Sequence, residues 1–68
     1  MNNNIKQFSE QLGISQDQLA ILAGISQDEL NDIENGRVEP SLMAAYKITK
    51  ALKKDFIADV FLMDDLDI

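Results

Sequence analysis

The chain reads Gly13-Ile14-Ser15-Gln16-Asp17-Gln18-Leu19 and then, eleven residues further on, Gly24-Ile25-Ser26-Gln27-Asp28-Glu29-Leu30. Each segment contains a serine of the kind that caps a helix N-terminus, and a glutamine or glutamate three residues later completes a capping box. The isoleucine before each serine and the leucine after it have the spacing of a hydrophobic staple. The repeated pattern therefore predicts one helix that starts near Gln16 and a second that starts near Gln27.

The two predicted helices are joined by a short turn around Gly24. Glycine takes the left-handed conformation that ends a helix without a side-chain cost. A turn of about three residues makes the helices cross steeply, and Ala20 provides the small side chain that a close crossing needs. Leu19, Ala23, Ile25, Leu30 and Ile33 are expected to face the core, and Gln27, Asp28, Asn31 and Asp32 to face solvent. The segment favours a helix-turn-helix, and an ordinary αα-hairpin is the alternative that local physics leaves open.

The remaining residues predict three further helices, and hence an all-α, compact five-helix bundle. The first runs from about Ile5 to Leu12 with Ile5, Phe8 and Leu12 on its apolar face, and Gly13 ends it. The fourth is capped by Ser41, and its buried stripe consists of Leu42, Ala45, Ile48, Ala51 and Leu52. The fifth is short and capped by Asp55, and its apolar residues are Phe56, Ile57, Val60 and Phe61. We expect a helix-turn-helix domain over residues 1–61 and an acidic C-terminal tail over 62–68.

The composition narrows the chemistry that this chain can perform. It has 68 residues, no cysteine and no histidine. Those absences remove disulfides, thiolate metal sites and most nucleophilic and general-base chemistry, so we expect no enzyme activity, no cofactor and no metal. No apolar run is long enough to span a membrane, and the N-terminus lacks the layout of a signal peptide. These features predict a cytoplasmic protein with no membrane partner.

The chain is acidic, with twelve acids, six bases and a net charge of −6. A protein that binds nucleic acid usually has a positive footprint, because phosphate contacts supply most of the non-specific affinity. Leaving out Leu62 to Ile68 removes three aspartates and still leaves a net charge of −3. DNA binding would therefore require the lysines and Arg37 to gather on one side of the fold.

Several pieces of the chain together resemble the Cro/C1-type helix-turn-helix family, the XRE-like group of phage repressors and small bacterial transcriptional regulators. The matching pieces are Ile5-Lys6, Phe8, the run from Gly13 to Ala20, Gly24-Ile25-Ser26, the run from Ile33 to Arg37, Pro40-Ser41-Leu42, Ile48, Ala51-Leu52 and Asp59-Val60-Phe61. They cover roughly residues 5 to 61. The resemblance implies a homodimer that places its third helix in the major groove of double-stranded DNA, often to repress transcription.

The resemblance also implies roles for individual residues. Gln27, Asp28, Asn31 and Asp32 match positions that contact base edges, and Ser15, Gln16 and Arg37 match positions that contact phosphates through a backbone N–H or a side chain. An amide side chain pairs with adenine, and an aspartate accepts from the amino group of cytosine. On the residues alone, the glutamines are equally good first-turn residues, and the aspartates are more simply a solvated face. Arg37 then only neutralises the carbonyls that end the third helix.

The chain departs from the family pattern at three places. Ser9 stands where family members usually have an arginine that pairs with the glutamate matching Glu34, so Glu34 is either exposed or held by another group. The third helix is acidic, which opposes phosphate contact unless its carboxylates find donors. The link from Lys53 to Phe56 is about one residue longer than usual and lacks the usual glycine.

Two functions remain open at this point. The first is a sequence-specific DNA-binding regulator that acts as a homodimer and, as the resemblance implies, represses transcription. The second is an acidic protein-interaction module or DNA mimic that presents its carboxylates to a basic protein partner. A dimer interface is expected on the last helix, where the apolar side chains exceed what a small bundle buries. The residues expected there are Phe56, Ile57, Val60, Phe61 and Leu62.

Overall fold

A computed structural model describes residues 3–61, which form five helices. The helices are α1 (Ile5–Leu12), α2 (Gln16–Ala23), α3 (Gln27–Glu34), α4 (Leu42–Ala51) and α5 (Ile57–Val60). Within these residues the only strand-like pairing is an isolated antiparallel bridge between Asn3 and Phe61. The predicted all-α five-helix bundle is therefore confirmed, whereas the predicted acidic tail lies outside the described residues.

Serine side chains begin three of the helices, as the sequence predicts. The Ser15 hydroxyl accepts from the backbone N–H of Gln18 at 3.1 Å, and the Gln18 side chain accepts from the backbone N–H of Ser15 at 2.8 Å. This is the complete capping box predicted for α2. Ser26 caps α3 and Ser41 caps α4 through one such bond each, of 3.0 and 3.1 Å. These caps fix where the two helices of the helix-turn-helix start.

The first four helices end in the same backbone motif. In α2, the N–H of Gly24 donates to the carbonyl of Ile21, and the N–H of Ile25 donates to the carbonyl of Ala20, both at 3.1 Å. This pair of bonds requires a left-handed residue just past the helix. The residues that take this conformation are Gly13, Gly24 and Gly36, with φ of 72°, 71° and 74°, and Lys53, with φ of 62°. The motif turns the chain sharply after each helix, which keeps the connections short.

The core is formed mainly by α2 and the helices that pack on it. α2 contacts α1, α3 and α4, and α5 packs on α4. The fully buried large side chains are Ile5, Leu19, Leu30, Ile33, Ile48, Leu52, Val60 and Phe61. Ala20 and Ala23 are buried too, which agrees with the close crossing of α2 that the sequence predicts.

Two predicted core positions are wrong. Leu42 was expected in the buried stripe of α4, yet 78% of it is exposed. It is the first residue of the helix, and a helical side chain leans toward the N-terminus, so Leu42 extends past the core. Leu12 is also exposed, and Ser9 is buried on α1 instead. The Ser9 hydroxyl donates to the carbonyl of Lys6 at 3.0 Å, which satisfies it inside the fold.

The last helix also differs from the prediction. It begins at Ile57, after Phe56, and no side chain caps it, so the predicted cap by Asp55 is wrong. Val60 and Phe61 are 0% and 1% exposed, whereas Phe56 is 69% exposed. The chain bends back at this point, because the N–H of Asn4 donates to the carbonyl of Val60 at 2.7 Å. That bond joins the two ends of the described segment.

Candidate nucleic-acid interface

The structure brings the predicted DNA-contacting residues of α2 and α3 to neighbouring positions. Ser15, Gln16 and Asn31 line one shallow polar depression, beside Lys6 and Glu34. Gln27 and Asp28 are exposed on the first turn of α3, and Asn31 and Asp32 are partly buried one turn further on. Both helix N-termini and the outer side of α3 are therefore available as one polar surface.

Gln16 is held by α3 through its side-chain amide. Its Nε2 donates to the Glu34 carboxylate and, at 3.4 Å, to the Asn31 side-chain oxygen. A primary amide has two N–H donors, so both hydrogens of Gln16 have an acceptor in this arrangement. Glu34, which lacks the arginine partner usual in the family, is therefore held by Gln16. The Gln16 side chain, which the sequence predicts to contact a phosphate, is therefore already hydrogen-bonded to other residues of the protein.

Asn31 is held in one orientation by its neighbours. Its side-chain oxygen accepts from Gln16 and from the Asn35 side-chain nitrogen, the latter at 3.1 Å. The same Asn35 nitrogen donates to the Asn31 backbone carbonyl at 2.8 Å. Among the described residues no acceptor meets the Asn31 side-chain nitrogen. Asn31 therefore offers a donor, and its acceptor oxygen is occupied.

Asp32 has a positively charged partner. Its carboxylate lies 3.5 Å from the Arg37 guanidinium, and both side chains are largely accessible to solvent. An exposed pair of this kind contributes little to folding stability, at most about 1 kcal/mol. It does mask the charge of Asp32 and positions Arg37 beside α3. Of the four acids on α3, Asp32 and Glu34 thus have donors, and Asp28 and Glu29 are exposed.

The backbone at the start of α2 offers two donors. The first N–H groups of a helix have no carbonyl partner within it. At α2 the N–H of Ser15 and that of Gln18 are used by the capping box, and the N–H of Leu19 donates to the Ser15 carbonyl. The N–H groups of Gln16 and Asp17 are the ones left to meet an anion at this helix end.

Asn3 supports this surface, and the sequence analysis did not identify it. Its side-chain nitrogen donates to the carbonyl of Ile33 at 2.9 Å, and its side-chain oxygen accepts from the N–H of Ile5 at 3.2 Å. It thereby joins the start of α1 to the end of α3. The available signal was an asparagine shortly before a helix, a residue type that favours caps and turns. Nothing in the sequence pointed to α3 as its partner.

The basic residues do not form one group. Lys6 lies at the polar depression, and Arg37 is next to Asp32. The Lys54 ammonium lies 4.3 Å from the centre of the Phe8 ring, in a cation–π contact. The other three, Lys47, Lys50 and Lys53, line a groove beside the C-terminal end of α2. The basic residues therefore do not gather on one side of the fold, which is the condition that the net charge of −6 sets for DNA binding, and this distribution counts against the DNA-binding function.

The residues expected at a dimer interface fall into two groups. Val60 and Phe61 are inside the core of the single chain, so they offer no surface to a partner. Phe56 is exposed and Ile57 is partly buried, and Leu62 lies outside the described residues. Leu42, Met43 and Tyr46 on α4 are exposed near Ile57, and the four residues line one apolar depression. We call these four residues, together with the exposed Phe56 that precedes Ile57 in the chain, the α4–α5 apolar face.

The described residues also bear on membrane and metal binding. None of the helices in residues 3–61 has the length and apolar character needed to cross a membrane. The same residues contain no group of three acidic side chains placed to hold a metal ion.

Comparison with known proteins gives one consistent family. The sequence profile described as helix-turn-helix matches residues 5–57. A protein of Methanothermobacter thermautotrophicus is 34% identical over 65 residues, which cover 96% of this chain and 94% of that protein. The protein YgzD of Bacillus subtilis is 34% identical over 65 residues, which cover 96% of this chain and 97% of YgzD. Both relatives are described as uncharacterized HTH-type transcriptional regulators.

Proposed function

We propose that this chain is a sequence-specific repressor that acts as a homodimer. The chain belongs to the Cro/C1-type helix-turn-helix family of transcriptional regulators. In this proposal α3 lies in the major groove of double-stranded DNA, and the protein works in the cytoplasm. The observation that supports it is the polar surface formed by α2 and α3, in which Asp32 and Glu34 already have donors.

Base contacts are proposed for Gln27, Asp28, Asn31 and Asp32. Gln27 is exposed at the first position of α3 and has the reach and the amide needed for adenine. Asn31 has its oxygen occupied, so we propose that it donates a single bond to a purine N7 or O6 instead of pairing bidentately with adenine. Asp28 accepts from a cytosine amino group in this arrangement, and Asp32 can accept from another once Arg37 has moved to a phosphate.

Phosphate contacts are proposed at the start of α2 and after α3. The N–H groups of Gln16 and Asp17 point along the positive end of the helix dipole, which attracts an anion. The Gln16 side chain joins this contact only when Glu34 releases it. Arg37, which is exposed, swings from Asp32 to a phosphate at little cost because the surface pair is weak.

The homodimer is proposed to form through the α4–α5 apolar face. Exposed apolar patches of this kind are typical of interfaces. A two-fold pair built on it presents the same surface of each protomer to the other and places the two α3 helices on one side. For DNA recognition the half-sites would then lie about 34 Å apart, one turn of the double helix.

Two observations favour a second function, the acidic protein-interaction module. Asp28 and Glu29 are exposed side by side at the start of α3, and the chain has a net charge of −6. An acidic surface of this kind suits a basic protein partner. The same experiment separates the two functions.

Selection from a random duplex pool tests the proposal. Binding at about 50 mM salt followed by a challenge at about 200 mM salt penalises contacts made only to phosphates. The expected result is an enriched palindrome with half-sites one helical turn apart. A folded protein that enriches no sequence at the lower salt would favour the acidic interaction module.

Arg37→Ala should weaken binding to every duplex alike and lower the salt slope by about one.

A further inference from the structure

A groove beside the helix-turn-helix has features that DNA binding does not use. It lies between the C-terminal end of α2 and the exposed side of α4. Its apolar part includes Leu22, which is 62% exposed, and Tyr46. Its charged part consists of Lys47, Lys50 and Lys53. We call this surface the lysine groove.

The charge in the lysine groove is unusual for this chain. Three of the six basic residues of an acidic protein line it, and none of its lining residues is acidic. Within residues 3–61 the one salt bridge joins Arg37 to Asp32, on another surface. Lysines at the end of a helix do favour its dipole, but that effect does not require exposed apolar side chains beside them.

The spacing of the lysines indicates the shape of a complementary partner. Lys47 and Lys50 are three residues apart on α4, so their attachment points are neighbours on the same face of the helix, about 5–6 Å apart. Acidic side chains three or four residues apart on a second helix have the same separation. Apolar residues on the adjoining side of that helix would meet Leu22 and Tyr46. This is the helix-in-groove mode of peptide recognition.

We infer that the lysine groove binds an acidic amphipathic helix of a partner protein. Its carboxylates pair with Lys47, Lys50 and Lys53, and its apolar side chains cover Leu22 and Tyr46. A DNA backbone would satisfy the lysines but has no apolar group to place against Leu22. The groove also lies at the opposite end of α2 from Gln16, so the partner and an operator would occupy different sides of the fold.

Fluorescence anisotropy with a synthetic peptide tests this inference. The probe is a fluorescein-labelled peptide that repeats Leu-Glu-Asp-Leu-Leu-Glu-Asp, and its matched control repeats Leu-Gln-Asn-Leu-Leu-Gln-Asn. The unsubstituted chain is expected to bind the acidic peptide at least about tenfold more tightly than the neutral one, since opposite charges steer and orient such pairs. Raising the salt should weaken only the acidic peptide.

Substitutions in the chain locate the binding surface. Lys50→Glu is expected to weaken the acidic peptide by about tenfold or more, because a like charge then faces it. Leu22→Asn, which changes an exposed apolar residue and no charge, should weaken it severalfold. Lys6→Glu makes the same change of charge at the polar depression and should alter peptide affinity by less than about twofold. Circular dichroism of each variant verifies that it is folded.

Three results would overturn the inference. The first is equal binding of the acidic and neutral peptides. The second is an equal loss with Lys50→Glu and Lys6→Glu, which would show attraction by net charge only. The third is a combined result in which the unsubstituted chain does not bind the peptide and Lys50→Ala binds a random duplex more weakly. That result would mean that the lysine groove contacts DNA phosphates. Loss of operator selection alone would leave the peptide result unchanged, so the two proposals fail separately.

Discussion

Lys53 combines a side chain with a backbone conformation that favours glycine. Among residues 3–61 it alone is a non-glycine residue with positive φ, at 62°, whereas Gly13, Gly24 and Gly36 occupy the equivalent position after the first three helices. A residue with a Cβ costs about 1–2 kcal/mol of folding free energy in the left-handed conformation. Glycine avoids this cost, but part of the gain is cancelled because glycine has more conformational freedom to lose when the chain folds. We therefore expect Lys53→Gly to raise the free energy of unfolding by about 0.5–1 kcal/mol.

Urea denaturation measures this difference. Lys53→Ala is the matched control, because it removes the same charge and keeps the Cβ. It should give no comparable gain. Equal stability of the glycine and alanine variants would mean that the charge of Lys53, and not its backbone conformation, determines the outcome.

Glu34 accepts a hydrogen bond from Gln16, the residue that we propose contacts a phosphate, and Ser9 lies in the same depression. Ser9 and Glu34 line the same depression as Gln16, so an arginine at position 9 has the length to reach the carboxylate. A bidentate guanidinium is a stronger partner for Glu34 than the Gln16 amide. Ser9→Arg should therefore release Gln16, tighten DNA binding by about tenfold and make the salt slope steeper by about one.

Binding isotherms at several salt concentrations follow this change. Ser9→Arg combined with Glu34→Gln is the control, because the added charge remains but its carboxylate partner is gone. If the gain in affinity survives in the double variant, then it comes from the charge of the arginine itself. If the single variant binds DNA no better, Gln16 is not restrained by Glu34 in solution.

At the scale of elements, the starts of α2, α3 and α4 depend on serine caps. Ser41, which is not among the proposed DNA contacts, caps α4 by accepting from the N–H of Ala44 at 3.1 Å. Ser41→Ala leaves that N–H without its partner and should lower the free energy of unfolding by about 1 kcal/mol. Ser41→Gly should cost only a few tenths of a kcal/mol. Thermal and urea unfolding distinguish the two variants, and an equal loss in both would contradict the cap.

The helices were predictable because their start and stop signals are local. Ser15, Ser26 and Ser41 act on an N–H three residues away, and Gly13 and Gly24 set the backbone where they stand, so neighbouring residues suffice to place them. The helix-turn-helix followed from these signals together with the register of its apolar residues. The fifth helix has no side-chain cap, and its predicted start was accordingly wrong.

The polar network of the site was less accessible to sequence reasoning. Gln16 and Glu34 are eighteen residues apart, and Asn3 and Ile33 are thirty apart. The residue types were correctly singled out on α2 and α3, but their partners depend on how the helices pack. The same holds for Phe61, whose burial depends on where the end of the described chain folds back.

At the scale of the whole molecule, the proposed homodimer depends on the α4–α5 apolar face. Phe56 is 69% exposed, so Phe56→Asp should leave the fold intact and convert a dimer into a monomer. Sedimentation velocity over a range of concentrations measures the change. Leu12→Asp places the same charge at an exposed apolar residue of α1 and should leave the dimer in place. If Phe56→Asp sediments like the unsubstituted dimer, the interface lies elsewhere.

Phe61→Asp is a different experiment, although the sequence places both phenylalanines on the last helix. Phe61 is 1% exposed, and removing a buried phenylalanine costs about 3–5 kcal/mol. That loss approaches the whole stability of a small domain, about 5 kcal/mol at the lower end. We expect this variant to lose its helical circular dichroism at 25 °C. A folded Phe61→Asp monomer would contradict the burial of Phe61.

The bond between Asn4 and Val60 has a consequence for how the chain can be reconnected. Its 2.7 Å length places the two ends of the described segment side by side. We expect a short covalent linker between these two ends to leave the packing of the five helices unchanged. New termini could then be made between Val38 and Glu39, in the exposed loop that joins α3 to α4. The resulting circular permutant would begin with α4 and end with the helix-turn-helix, so the helix proposed to read DNA, α3, would lie at the C-terminus.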